Sequence, residues 1–113
     1  MEKIPTKDKF ILDDDDNPVP CYDLLEWGMW MEENRPYLRL SKTMIQAYPK
    51  IYVSTVFLGL NHSYCFDVPP IKPVLWESMV FGGAMHHEQE RYSSKEEAIA
   101  GHLRLVDEVR AVL

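Results

Sequence analysis

"IYVSTVFLGL", residues 51–60, decides the fold. The stretch is rich in β-branched and aromatic residues and carries no charge, the signature of a strand. Alternate side chains of a strand fall on opposite faces. Ile51, Val53, Thr55 and Phe57 share one face; Tyr52, Ser54, Val56, Leu58 and Leu60 share the other. Neither face is polar. This predicts a central strand covered on both sides, or covered on one side and paired in an oligomer.

Working outward, "YLRLSKTMI" (37–45) alternates over its first half and reads as a second strand, joined by the turn "AYPK". "NHSYCFDVPPIKP" (61–73) reads as one long loop, its second half held extended by three prolines. "VLWESMVFGG" (74–83) is another strong strand, ended by the Gly82-Gly83 turn, and "HHEQERYS" returns beside it, so 74–92 reads as a hairpin.

Two helices flank these strands. In "CYDLLEWGMWMEEN" (21–34), Leu24, Trp27, Gly28 and Met31 recur at helical spacing, and Leu25 and Trp30 widen the stripe. Asp23 suits the positive end of the helix dipole, and Pro36 stops the helix. Gly28 weakens the interior and leaves room for a second backbone. An exposed part of this Trp/Met-rich helix, Trp30 included, is a natural partner surface. In "SSKEEAIAGHLRLVDEVRAVL" (93–113), Ser94 and Glu97 have capping-box spacing. Ala98, Ile99, His102, Leu103, Leu105, Val106 and Val109 line one broad apolar face, fit to pack on a sheet. The expected architecture is a single α+β domain over 1–113. It is a mostly antiparallel sheet of three to four main strands packed by an N-terminal and a C-terminal helix. Residues 1–20 are expected to be partly irregular, with Phe10, Ile11 and Leu12 as their apolar cluster and an acidic turn at 13–17.

The bulk numbers bound the function. The chain has 113 residues, 46% hydrophobic and 27% charged, an ordinary composition for one globular domain. No apolar run approaches the roughly 18 residues of a membrane span. No secretory signal is recognised, so no membrane association is expected and the cytosol is the expected compartment. The two cysteines, Cys21 and Cys65, are expected as reduced thiols. With a net charge of −6 and basic residues scattered along the chain, direct nucleic-acid binding is not expected. A basic protein partner is compatible with that charge.

Candidate chemistry is sparse. Four consecutive aspartates, Asp13 to Asp16, do not match a calcium loop: counted from Asp13, the required Gly is Pro18 and the required Glu is Leu24. They read as a solvated turn. In "AMHHEQERYSS" (84–94), read as a strand, His86, Glu88 and Glu90 share one face and His87, Gln89 and Arg91 the other. Adjacent histidines on opposite faces cannot ligate one metal, so no metal and no cofactor is expected. His102 on an apolar helix face reads as a hydrogen-bonded core histidine. Glu77 sits among large apolar residues; it is either solvent-facing on a half-covered sheet or buried with His102, Arg91 or Lys42 as partner. Neither a nucleophile elbow nor a phosphate loop nor a zinc-protease motif occurs.

Three ordered motifs carry a resemblance: "FLGLNH" (57–62), "ESMVFGG" (77–83) and "RYSSKEEAIAGH" (91–102). With "NPVPCYDLLEWGMWME" before them, the chain resembles, over most of 11–106, a family of small tailed-phage and prophage proteins. It departs from that pattern in the Asp run and in "GGAMHH". The resemblance implies a small accessory protein in the host-cell cytoplasm that acts by binding. Its expected role is counter-defence, either inhibiting a host protein or sequestering a small, nucleotide-like signal molecule. The recurring polar positions, Asn61, His62, Glu77, Arg91, Tyr92 and His102, are the candidate ligand- or partner-binding residues, with Arg39 and Trp30 beside them. Two other classes stand next to this one. A structural homo-oligomeric subunit requires a large apolar surface patch. A small His/Glu-dependent enzyme requires Glu77, His62 and His102 to converge in one pocket.

Overall fold

The computed structural model describes residues 5–62 and 72–113. Six strands and two helices follow in the order β1 (Phe10–Leu12), β2 (Pro18–Pro20), α1 (Leu24–Glu33), β3 (Arg39–Ala47), β4 (Lys50–Phe57), β5 (Trp76–Phe81), β6 (Gln89–Tyr92) and α2 (Lys95–Ala111). A single 3-10 turn, Arg35–Tyr37, links α1 to β3. The strands β3-β4-β5-β6 form one antiparallel sheet in chain order, and β1 and β2 form a separate two-stranded ribbon. This is the expected α+β class.

The decisive strand is indeed central. β4 pairs β3 from Ala47↔Lys50 to Arg39↔Val56 and pairs β5 from Tyr52↔Phe81 to Phe57↔Trp76. It ends at Phe57 rather than Leu60, where backbone bonds pass irregularly from Leu58 N–H to the Leu75 carbonyl and from His62 N–H to the Val74 carbonyl. β3 takes two register shifts, at Arg39/Ser41 and Met44/Gln46, as edge strands commonly do.

Helix α2 lies across one face of this sheet and packs on all four strands. The Ile51/Val53/Thr55/Phe57 face of β4 is the covered one. Ile51, Val53 and Val80 meet Leu105, Val106 and Val109 in one buried cluster, and Phe57, Leu75, Trp76, Tyr92 and Ala98 form a second. Ser94 caps α2 by accepting the Glu97 N–H at 3.1 Å, as its spacing predicted. The buried stripe is narrower than the sequence reading. Ile99 and Leu103, expected inside, are exposed, because the stripe follows Ala98, Gly101, His102, Leu105, Val106 and Val109 alone.

Residues 5–23 are more ordered than expected. The Asp run is the turn of the β1–β2 hairpin: Asp13 Oδ1 accepts the N–H groups of Asp15 and Asn17, each at 2.9 Å. Side-chain acceptance of this kind closes a turn without any metal. Phe10 N–H then donates to the Gly59 carbonyl and ties the ribbon to the end of β4. Cys21 is a free, buried thiol; the expectation for Cys65 lies outside the described residues.

Helix α1 buries none of its residues fully. It reaches the core through Trp30, whose ring meets Phe57 edge-on at 6.2 Å, and through Trp27, whose indole N–H lies 2.9 Å from the Gly59 carbonyl. Among the described residues, a Cβ at Gly28 would meet open space. The close backbone approach expected at that glycine does not occur among the described residues.

Candidate functional site

His102 is the hub of the helix–sheet interface. α2 carries it at 2% exposure onto hydroxyls of two strands, with a hydroxyl of a third joined through one of them. Its Nε2 lies 2.8 Å from Thr43 Oγ1 and 3.2 Å from Ser41 Oγ, both on β3. Its Nδ1 lies 2.7 Å from Thr55 Oγ1 on β4, and that oxygen lies 2.5 Å from Ser78 Oγ on β5. Burial pushes the imidazole below its ordinary pKa of 6.5. A neutral ring offers one donor and one acceptor nitrogen, which the surrounding hydroxyls match by rotating. The role is the core one that the helix face predicted.

Tyr92 flanks this network. Its ring fills the space over Gly101, and its buried hydroxyl has no partner at hydrogen-bonding geometry among the described residues. Burial raises the phenol pKa, and the neighbouring Ser78 side chain opposes that rise.

Glu77 and Arg91 lie on the opposite face. They are direct cross-strand partners on β5 and β6, and Arg91 Nε donates to Glu77 Oε2 at 2.9 Å. Of the three partners open to Glu77 in sequence, Arg91 is the one it takes. Glu77 is therefore separated from His102 by the thickness of the sheet, since alternate residues of β5 point to opposite faces. His62 follows the end of β4, where its backbone N–H bonds Val74. Beside it, Asn61 Oδ1 accepts the Val74 N–H at 2.9 Å. The Glu77/His62/His102 constellation that an enzyme required is not assembled.

The paired histidines correct a second expectation. His86 and His87 are not on a strand; they lie in the turn between β5 and β6, His87 with φ of 72°. Their ring centres lie 3.6 Å apart with the planes tilted by 32°, and His86 Nδ1 accepts the Gly82 N–H at 2.7 Å. Gly82 has φ of 87°, and a Cβ there would run into the Lys50 carbonyl. The histidines cap a turn whose glycine is sterically required. Among the described residues no group of three or more His, Cys, Asp or Glu side chains could hold a metal ion.

Two surfaces remain. The first is the outer side of α1. Tyr22, Leu25 and Met29 are 69%, 45% and 63% exposed, and Glu26, Glu32 and Glu33 are exposed beside them. A cleft of about 400 Å³ adjoins the stripe, lined by Ile11, Cys21, Tyr22, Asp23, Glu26 and Trp30. The sequence placed Trp30 in a partner surface, and the structure gives it one edge on Phe57 and one wall of this cleft.

The second surface is the face of the sheet away from α2, on which no helix among the described residues packs. Arg39, Lys42, Lys50, Tyr52, Glu77, Phe81 and Arg91 share it. Glu77, Arg91 and Arg39 were sequence candidates, and Lys42 was one of the partners open to Glu77. A further signal was available. Residues 35–66 contain Arg35, Arg39, Lys42 and Lys50 but neither Asp nor Glu, so the basic residues are sorted rather than scattered.

No family model, curated protein or solved structure matches the chain. Among the described residues no helix is long and apolar enough to cross a membrane.

Proposed function

We propose that this chain acts by binding, with the outer side of α1 and its cleft as the surface for a protein partner. The partner presents an apolar anchor rimmed by basic side chains. The observation that carries the reading is the exposed stripe of Leu25 and Met29 on a helix with no fully buried residue, extended by Tyr22 just before its start. Apolar and aromatic side chains clustered in this way mark contact surfaces. The exposed carboxylates of Glu26, Glu32 and Glu33 beside the stripe steer a cationic partner. The resemblance to small phage accessory proteins supplies the setting: a counter-defence factor that occludes a host protein in the cytoplasm.

The test is a photo-crosslinking amino acid placed at Met29, with a second placed at Leu103 on the exposed side of α2 as control. The expected result is one dominant adduct from position 29 in host extract, lost in a Tyr22→Ser/Leu25→Ser variant and weakened by salt. Equal adducts from both positions, or a position-29 adduct that survives the serine variant, would overturn the reading.

A structural homo-oligomeric subunit is the second reading. Ile99 and Leu103, 44% and 61% exposed and one helical turn apart, favour it. It requires a stable oligomer by sedimentation that Leu103→Glu dissociates.

A further inference from the structure

The uncovered face of the sheet combines features that the α1 surface does not use. Tyr52 and Phe81 are paired in register on β4 and β5, and their rings stack at 4.8 Å with planes 16° apart. Lys42 and Lys50 both bring their ammonium groups over the Tyr52 ring, at 4.6 and 5.2 Å from its centre. Neither lysine forms an ion pair among the described residues, and both side chains are exposed. Arg39 stands on the same face further along β3, above an open hollow of about 420 Å³ that Arg35 also lines. In a chain of net charge −6, this edge is a local concentration of positive charge.

Two ammonium groups converging on one ring repel each other. The contact of each with the ring, at an exposed site, is weaker than the stacking of a planar base on an aromatic side chain. A ligand carrying both a flat ring and an anion satisfies all the groups at once. Its ring takes the lysines' place on Tyr52, and the lysines turn to its phosphate. We propose that this face binds a small aromatic anion of the nucleotide class, with Tyr52 backed by Phe81 as platform and Lys42 and Lys50 as phosphate donors. A second copy of the chain is disfavoured as occupant, because two such faces carry the same charge. A long polyanion is disfavoured by the acidic β1–β2 turn and α1 and by the single aromatic platform. This site is independent of the α1 surface, and each stands or falls alone.

The experiment is an amide NMR titration of the full chain with AMP, inorganic phosphate and a single-stranded oligonucleotide as separate probes. AMP is expected to give saturable shifts centred on Lys42, Tyr52 and Phe81. Phosphate alone is expected to bind about tenfold more weakly, the equivalent of losing the stacking contribution. Lys42→Gln/Lys50→Gln should weaken AMP by about tenfold while leaving the rest of the spectrum in place, since both side chains are exposed. Tyr52→Leu should weaken AMP but not phosphate. An absence of saturable shifts at millimolar AMP overturns the proposal. Shifts unchanged in the double lysine variant overturn it too. An equal response to phosphate alone means an adventitious ion only, and oligonucleotide binding far tighter than AMP means a polyanion site; either result also overturns it.

Discussion

The ring of Tyr92 occupies the space that a side chain at position 101 would need. A Cβ built on Gly101 would overlap Cε1, Cζ and the hydroxyl oxygen of that ring. The two residues are Tyr92 at the end of β6 and Gly101 in the second turn of α2, so this contact sets how closely the helix approaches the sheet. The "RYSSKEEAIAGH" motif then resolves into physical roles. Arg91 pairs Glu77, Ser94 caps α2, Ala98 is fully buried, Gly101 admits Tyr92, and His102 collects the strand hydroxyls.

Gly101→Ala is expected to destabilise the fold by about 2–3 kcal/mol, the usual cost of overpacking a closed interface. Helix propensity alone would favour alanine by up to about 1 kcal/mol. Urea unfolding of Gly101→Ala, Tyr92→Leu and the double variant measures the coupling. A strictly additive cycle would contradict the contact.

His102 gives the stability a pH dependence with a defined sign. Its folded pKa is lowered by burial, so the unfolded chain binds a proton more readily. Its contribution is complete above the unfolded value of about 6.5 and declines as pH falls from there toward the lowered folded value. The melting temperature is expected to drop as pH falls below about 6.5, and His102→Gln should flatten that part of the profile at some cost in stability at neutral pH. A profile for His102→Gln parallel to that of the native chain would assign the pH dependence to other groups.

Tyr92→Phe removes a buried hydroxyl that lacks a partner. Unsatisfied buried polar groups cost rather than stabilise, so the variant should be neutral or more stable, within about 1 kcal/mol. A loss above about 2 kcal/mol would place a real hydrogen bond between Tyr92 and Ser78.

The Glu77–Arg91 pair is half-covered, with side chains 15% and 29% exposed. Its coupling energy in a double-mutant cycle should be about 1 kcal/mol, between a free surface pair and a buried one. It should fall only slightly in high salt, because partly buried pairs are screened less.

Gly28→Ala on α1 meets open space and should raise stability by up to about 1 kcal/mol, through helix propensity and a less flexible unfolded chain. Thermal unfolding checks this directly. A destabilised variant would mean that Gly28 is needed for a contact absent from the isolated chain.

The sequence by itself determined what depends on neighbours along the chain. Strand alternation put Ile51, Val53, Thr55 and Phe57 on one face because Cβ direction alternates residue by residue. The Ser94 cap followed from a three-residue spacing, and the α+β order followed from the change of hydrophobic period. Where a turn replaced an expected strand, at His86 and His87, local signals conflicted: a Gly-Gly turn met a polar run with no alternation to end it. Only the tertiary structure decided which distant groups meet. Thr43 and Thr55 look like ordinary strand positions until α2 brings His102 onto them across 59 and 47 residues of chain. Glu77 could have faced three partners, and register alone chose Arg91. The convergence of Lys42 and Lys50 on Tyr52 and the outward stripe of α1 likewise depend on which sheet face α2 covers. Pairing and docking are long-range choices, set by the apolar area buried when whole elements come together, and no local window of sequence contains that sum.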